Sequence, residues 1–180
     1  MITVSCHQPN FFPVMGFFNK LRKADVFVLL GNVQYEKHNY QNRFKFENHW
    51  HTMSVNRGME PILNKTYLKP KGDFKRICVN NPKLESFTEL ITDSLYITNE
   101  RIIREIARRL GYLVGTDIVP DYPTKLKSTE RLVDICKSHK ADVYLSGQGG
   151  KHYLDLELFK ANGIKVEFQE TNIEPIINYL

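Results

Sequence analysis

Two hydrophobic periods meet within the first thirty residues, and their order restricts the fold more than any other feature. Ile2-Thr3-Val4-Ser5-Cys6 alternates as a strand does. A polar loop follows, His7-Gln8-Pro9-Asn10-Phe11-Phe12-Pro13. Val14, Phe17, Phe18 and Leu21 then recur at i, i+3, i+4 and i+7, the spacing of a helix with one apolar face. Val26 to Leu30 is a continuous apolar run, as expected of a strand buried on both faces. Strand, helix and strand in this order predict two parallel strands joined by a helical crossover. Ligands of open parallel sheets bind outside the carboxyl ends of the strands, which places the 7–13 loop and the stretch after residue 30 at the predicted site. A helix starting near Val14 would add free backbone N–H groups facing an anion, and Pro13 suits its entry. Gly16 lies inside the helical pattern. It predicts either close packing of the helix on a strand or a ligand brought near the backbone.

The rest of the chain repeats the alternation around one interruption. Residues 31–40 read as a polar loop over the sheet's carboxyl edge, with Gln34, Tyr35, Lys37 and His38. Asn42 to Phe46 and Trp50 to Val55 both alternate around Glu47-Asn48-His49, predicting a β-hairpin with Phe44, Phe46 and Trp50 on one side and Arg43 and Lys45 on the other. Residues 56–82 are rich in Asn, Lys, Gly and Pro and predict a lid or irregular insertion with one short strand at 66–68. Helical spacing predicts helices over about 83–95, over 99–110 capped by Thr98, and over 129–139 capped by Ser128. Arg101, Arg104, Arg108 and Arg109 read as a solvated helix face, since Glu100–Arg104 and Glu105–Arg109 are i,i+4 pairs. Strands are expected at 116–120, 142–145 and 164–168, with a glycine-rich turn Ser146-Gly147-Gln148-Gly149-Gly150 and a helix over 154–161 after the second of these. The expected fold is α/β, a mostly parallel, Rossmann-like sheet flanked by helices. One domain over residues 1–180 would carry a small hairpin and irregular insertion at about 40–82.

Composition excludes several classes. The 180 residues are 42% hydrophobic, enough for a buried core. No apolar stretch is long enough to span a bilayer and no signal peptide is visible, so no membrane partner is expected and the protein reads as cytoplasmic. Cys6, Cys78 and Cys136 are odd in number and far apart, which argues against a disulfide framework or a structural zinc site. The net charge of +5 suits an anionic small-molecule substrate, with nucleic acid as the alternative partner. The basic residues read as scattered along the chain, which disfavours a nucleic-acid stripe.

Several residues are candidates for chemistry. His7 at the end of the first strand would act as general base or hold a phosphate. Cys6 alternates with it and is expected to be buried packing. Lys20, Lys37 and Arg43 would neutralise an anion, with lysine acting as a point charge and arginine in bidentate geometry. Asn10 and Asn42 would orient a polar substrate. The Ser146–Gly150 turn matches neither the G-x-G-x-x-G fingerprint nor the Walker A motif, but it would expose N–H groups, with Lys151, His152 and Tyr153 adding contacts.

An ordered series of these residues resembles the WbqC-like proteins. It comprises His7-Gln8-Pro9, Pro13, Gly16-Phe17-Phe18, Lys20, Ala24 to Leu29, Val33-Gln34-Tyr35, Lys37, Gln41-Asn42-Arg43, then Tyr144-Leu145-Ser146-Gly147, Gly149 and Tyr153-Leu154. The resemblance implies a transferase associated with bacterial surface-polysaccharide gene clusters and with phages. It would move a glycyl-like or other aminoacyl group to a nucleotide-linked sugar or a modified base. Together with the strand-end loops read above, the resemblance gives an expected substrate site at His7, Gln8, Asn10, Lys20, Gln34, Lys37, Asn42, Arg43, Ser146, Gly147, Gly149, Gly150 and Tyr153. Where the family usually has two aspartates, this chain has Gly31-Asn32. A metal or base depending on that pair would be missing, and no metal is expected. The cofactor is left open. Two alternatives stand beside this reading. One is a nucleotidyltransferase-like enzyme, for which the chain lacks the paired HxGH histidines. The other is a non-catalytic nucleotide- or DNA-binding module.

Overall fold

The computed structural model describes residues 1–180. In chain order the regular elements are β1 (Thr3–His7), α1 (Met15–Leu21), β2 (Val26–Leu29), β3 (Arg43–Phe46), β4 (His49–Thr52), α2 (Pro70–Asn80), α3 (Leu95–Arg109), β5 (Asp117–Pro120), α4 (Ser128–Ser138), β6 (Val143–Ser146), α5 (Leu156–Ala161) and β7 (Lys165–Phe168). Five strands form one all-parallel sheet in the order β5-β2-β1-β6-β7. β3 and β4 form a separate antiparallel hairpin. The expected α/β architecture with its small hairpin is the one observed.

Side-chain alternation along the strands divides the core between two faces. Phe27 and Leu29 join a cluster of 29 buried residues with α1, α2 and α3, while Val4, Cys6 and Val28 join α4 and α5 on the opposite face. The helix after β1 therefore lies on one face and the helix after β6 on the other. A chain wound in this way leaves a crevice where the connections diverge, at the carboxyl ends of β1 and β6.

Between β2 and β5 the chain builds the hairpin, α2 and α3. Residues 56–82 are not wholly irregular, because α2 occupies Pro70–Asn80. Its signals are a proline in the first turn, Asp73 after it, and buried Phe74, Ile77 and Cys78 at i, i+3 and i+4. The expected helix over 83–95 is instead a 3₁₀ segment, Pro82–Leu90. α3 begins before Thr98, because Ser94 caps it by accepting from Ile97 N at 3.3 Å. The Thr98 hydroxyl accepts from Thr92 N instead. Ser128 does not cap α4; it is the first helical residue, and no side chain caps that end. The Glu100–Arg104 and Glu105–Arg109 pairs form at 2.8 Å. Trp50 lies opposite Lys45 in the hairpin register and so shares the face of Arg43 and Lys45, not that of Phe44. The Arg43 guanidinium sits 4.0 Å over the Trp50 ring. No helix is long and apolar enough to cross a membrane.

Candidate functional site at the sheet's switch point

A cleft of about 850 Å³ opens at the carboxyl ends of β1 and β6. His7, Gln8 and Asn10 line it from the first loop, Gly147, Gln148 and Gly149 from the loop after β6, and Lys20 from α1. The hairpin turn, Phe46 to Asn48, overhangs it, and Gln169 to Ile173 after β7 close the other side.

The first loop is held in one shape by its surroundings. Phe12 has φ of 45°, a conformation that costs a bulky L-residue roughly 1–3 kcal/mol. Burial compensates: Phe11 and Phe12 pack with each other and with Phe44, Phe74 and Phe87 at centroid distances of 5.0–6.4 Å. Asn99, fully buried on α3, donates at 2.7 Å to the carbonyls of both Pro9 and Gln41, tying this loop to the one before β3. Gln41 in turn donates to the Gln8 side chain and accepts from Glu36 N. Gln41 belongs to the ordered stretch Gln41-Asn42-Arg43, whereas Asn99 is marked by no motif as a site-building residue.

Lys20 is the residue whose environment is least ordinary. Four charged residues of the chain are buried: Lys20, Lys65, Asp121 and Arg131. Arg131 pairs with Asp121, and Lys65 pairs with Glu60 at 3.2 Å. Lys20 has no carboxylate within pairing distance. Its ammonium donates once, to the Cys6 carbonyl at 2.8 Å, and two donors are left over. Burial lowers its pKa from 10.5 to about 8, against a raising effect of Cys6.

His7 packs edge-on against Phe17, with 4.9 Å between centroids. Its Nδ1 lies 2.9 Å from the Gln8 carbonyl. A carbonyl only accepts, so Nδ1 carries the hydrogen and Nε2 has a free lone pair. Burial, then the Lys20 charge, lower the imidazole pKa to about 3, opposed by the hydrogen bond to Gln8. His7 is therefore neutral at physiological pH, well below its ordinary value.

The expected anion site at the helix start is not available. Met15 N and Gly16 N donate at 2.8 Å to the carbonyls of Glu174 and Asn172. Gly16 is required for that contact, since a Cβ there would run into the Asn172 carbonyl oxygen. The close packing expected at Gly16 exists, but against the C-terminal segment instead of a strand. Free donors are found across the cleft. The N–H groups of Gly147, Gln148 and Gly149 have no protein acceptor, and a Cβ at Gly147 or Gly149 would meet nothing within 4 Å. Successive unpaired N–H groups of this kind form a concavity for an anion.

The other expected site residues lie apart from the cleft lining. Asn42 is buried, accepting from Tyr35 Oη at 2.9 Å and donating to the Met53 carbonyl at 2.7 Å. Arg43 stacks on Trp50 and donates to the His38 carbonyl. Gln34 and Lys37 are exposed on the preceding loop. Ser146 Oγ turns back to the Gly147 carbonyl, and Gly150 is packed so closely that a Cβ would strike Ser146. Tyr153 is exposed beyond the turn. Cys6 points into the opposite core face from His7, and burial raises its thiol pKa. At Gly31-Asn32 a carboxylate is present, but it comes from Asp121. Asp121 accepts from Gly31 N at 2.9 Å, Asn32 N at 3.1 Å and Asn32 Nδ2 at 2.9 Å, and it pairs with Arg131.

Comparison with known proteins agrees over nearly the whole chain. The family described as "WbqC-like protein family" matches residues 8–76 and 79–179. A protein of Mycobacterium tuberculosis, "Uncharacterized protein Rv1507c", is 24% identical over 188 residues, covering 92% of this chain and 81% of that protein. No solved structure matches.

Proposed function

The chain belongs to the WbqC-like protein family, and we propose that it is a transferase that moves an aminoacyl or related acyl group to a phosphate-bearing acceptor, such as a nucleotide-linked sugar or a modified base, in the β1/β6 cleft. The observation that carries this reading is the buried ammonium of Lys20, which has no counter-charge in the protein. Burying an unpaired charge is costly, and an anionic ligand would supply the missing partner. The free N–H groups at 147–149 would hold the same anion, or the oxyanion formed on the acyl carbonyl.

His7 supplies the base in this scheme. As the acceptor's amine or hydroxyl adds to the acyl carbonyl, its proton passes to Nε2. When the tetrahedral intermediate collapses, the imidazolium returns that proton to the leaving group. A base with pKa about 3 is weak, and part of that weakness comes from Lys20. An anion bound at Lys20 offsets this charge, so the base strengthens when substrate is in place. Gln8, fixed by Gln41, and Asn10 orient the acceptor.

The test is incubation of the protein with acyl and aminoacyl donors and a panel of nucleotide-sugars, followed by mass spectrometry of the acceptors. The expected result is an acyl-sized mass gain with the wild type and a loss of about 100-fold or more in rate for His7→Ala. Full turnover by His7→Ala would remove His7 from the mechanism. The same unpaired donors also favour a second reading, nucleotidyl transfer, which predicts pyrophosphate release from a nucleoside triphosphate with magnesium.

A further inference from the structure

A side-chain amide accepts hydrogen bonds at one end and donates at the other, and a free amide turns to suit its ligand. Gln8 lines the β1/β6 cleft and is not free to turn. We infer that Gln8 is a specificity-determining donor of that cleft. Its Nε2 selects an acceptor oxygen of the ligand, that of a phosphate, carboxylate or carbonyl, and rejects an ammonium at the same place. Gln41 is the positioning residue that sets this polarity. That the cleft is the ligand site rests on the transfer reading; the polarity of Gln8 does not.

The polarity is traced from a backbone group that has no choice. The Glu36 N–H can only donate, and it donates to Gln41 Oε1 at 3.0 Å. The other end of that amide, Gln41 Nε2, therefore faces Gln8 and donates to Gln8 Oε1. Gln8 Oε1 is thereby occupied, and Gln8 Nε2 carries its two N–H groups away from Gln41. Turning the Gln8 amide over would set one NH2 group against another. Turning both amides over would set the Gln41 NH2 against the Glu36 N–H. Gln41 is fully buried, so water cannot relieve either conflict. The flanking backbone is pinned as well. Asn99 Nδ2 holds the carbonyls of Pro9 and Gln41, and its Oδ1 accepts from Tyr67 Oη at 3.1 Å, which fixes that amide in turn.

Gln8 is half-buried in the cleft lining, and its Nε2 has no acceptor in the protein and is not enclosed. Two other glutamines of the same lining are used differently. Gln148 Nε2 donates to the Gln169 carbonyl at 2.8 Å, and Gln169 Nε2 to the Gly16 carbonyl at 2.7 Å. Those amides hold the cleft wall together, whereas the Gln8 NH2 group holds nothing. Donors of the same kind surround it at this rim. Lys20 has two N–H groups to spare, and the free N–H groups of 147–149 lie on the loop after β6, the strand beside β1. Two carboxylates also line the cleft, Glu47 and Glu170, but they come from the hairpin turn and from the segment after β7. The loops that end β1 and β6 therefore present fixed donors, which an oxyanion or a carbonyl oxygen satisfies and an ammonium does not.

The test follows the Gln8 NH2 signals by NMR, assigned through bonds in the isotope-labelled wild type, so it does not depend on a variant's folding. Inorganic phosphate and pyrophosphate are titrated into the intact protein. The Gln8 pair is expected to shift and to saturate together with the heat of binding in isothermal titration. Methylammonium should not move it. Gln8→Glu keeps the oxygen that Gln41 needs but replaces both donors with an acceptor, and should weaken phosphate binding about tenfold or more. Gln41→Met frees the Gln8 amide and should weaken binding about threefold, but no further in the Gln8→Glu background. A merely structural Gln41 would weaken both backgrounds alike. The inference is overturned if bound phosphate leaves the Gln8 pair unmoved, if methylammonium moves it as phosphate does, or if Gln8→Glu binds phosphate as tightly as the wild type. Loss of phosphate binding in Lys20→Met would then still support the anion site of the transfer reading. A Gln8 shift that persists in Lys20→Met keeps the role of Gln8 and removes Lys20 as the anion's partner. Absence of any phosphate or pyrophosphate binding would overturn both.

Discussion

Replacing Lys20 with methionine separates stability from binding. In the folded chain the ammonium titrates at about 8, against 10.5 when unperturbed. That difference corresponds to a destabilisation of about 3 kcal/mol wherever the lysine is charged in both states. The sign follows from which state binds the proton more tightly. Below pH 8 the lysine is protonated folded and unfolded, and the penalty is full. Between 8 and 10.5 the unfolded chain binds more protons, so stability rises with pH. Above 10.5 the penalty is gone. Lys20→Met removes the charge while keeping an unbranched chain of similar volume. It also deprives the Cys6 carbonyl of a donor, a loss of about 1–3 kcal/mol. The two effects oppose each other, so at pH 7 the variant should be as stable as the wild type or more stable by about 2 kcal/mol. Urea unfolding at pH 7 and pH 10 measures this. The wild type should gain on the variant by about 2.5 kcal/mol across that interval, because a small part of the penalty remains at pH 10, groups elsewhere cancelling in the difference. Inorganic phosphate or pyrophosphate should stabilise the wild type by about 3 kcal/mol at a hundredfold excess over Kd, and the variant hardly at all. A variant less stable by more than about 2 kcal/mol at pH 7, with no change in the difference up to pH 10, would refute the reasoning. Lys20 would then be a structural residue whose charge the fold tolerates without a ligand.

Two further outcomes follow from the same site. His7 titrates at about 3 folded and 6.5 unperturbed, so the unfolded chain binds more protons between these values and stability falls as pH drops from 6.5 towards 3; His7→Gln should flatten this acid slope in urea titrations. Gly16→Ala should cost about 1–3 kcal/mol in thermal or urea unfolding, since its Cβ meets the Asn172 backbone, while Gly149→Ala, open on all sides, should leave stability within about 0.5 kcal/mol.

The sequence made the sheet legible because its strands are short apolar runs separated by helical spacing. The paired loops were legible for the same reason: once β1 and β6 are known as parallel strands ending at His7 and Ser146, their carboxyl-end loops must share a rim. Three features were not legible, each because a long-range contact decides it. The N–H groups at the start of α1 look free in sequence, but carbonyls more than 150 residues away take them. Trp50 changes face because the register pairs it with Lys45, and a one-residue difference in where a turn begins inverts every side chain. Lys20 sits in a helix among apolar residues at a position where a surface lysine is equally consistent with the spacing. Only the packing of α1 against β1 and β2 shows that the side chain is enclosed.

The carboxyl rim of the sheet contains an internal control for reading Lys20 as a ligand-binding residue. At the β2/β5 end a carboxylate is also buried, yet Asp121 receives two backbone N–H groups, the Asn32 amide and the Arg131 guanidinium. The Arg131 guanidinium also donates to the Asn32 carbonyl at 3.1 Å. That end of the rim is closed by its own side chains: each buried charge there has an opposite charge, and only the Arg131 Nε donor is left without an acceptor. Lys65 on the inserted segment is treated alike, with Glu60 and the Gly58 carbonyl around its ammonium. The same chain, under the same physics, therefore compensates each of its other buried charges with protein groups. It leaves uncompensated only the one that lines the β1/β6 cleft, opposite three unused N–H donors. A fold that merely tolerated a buried lysine would have no reason to place it where the winding of the sheet leaves a crevice. The coincidence of an unpaired cation, free N–H donors and the switch point is what distinguishes a site from a packing defect.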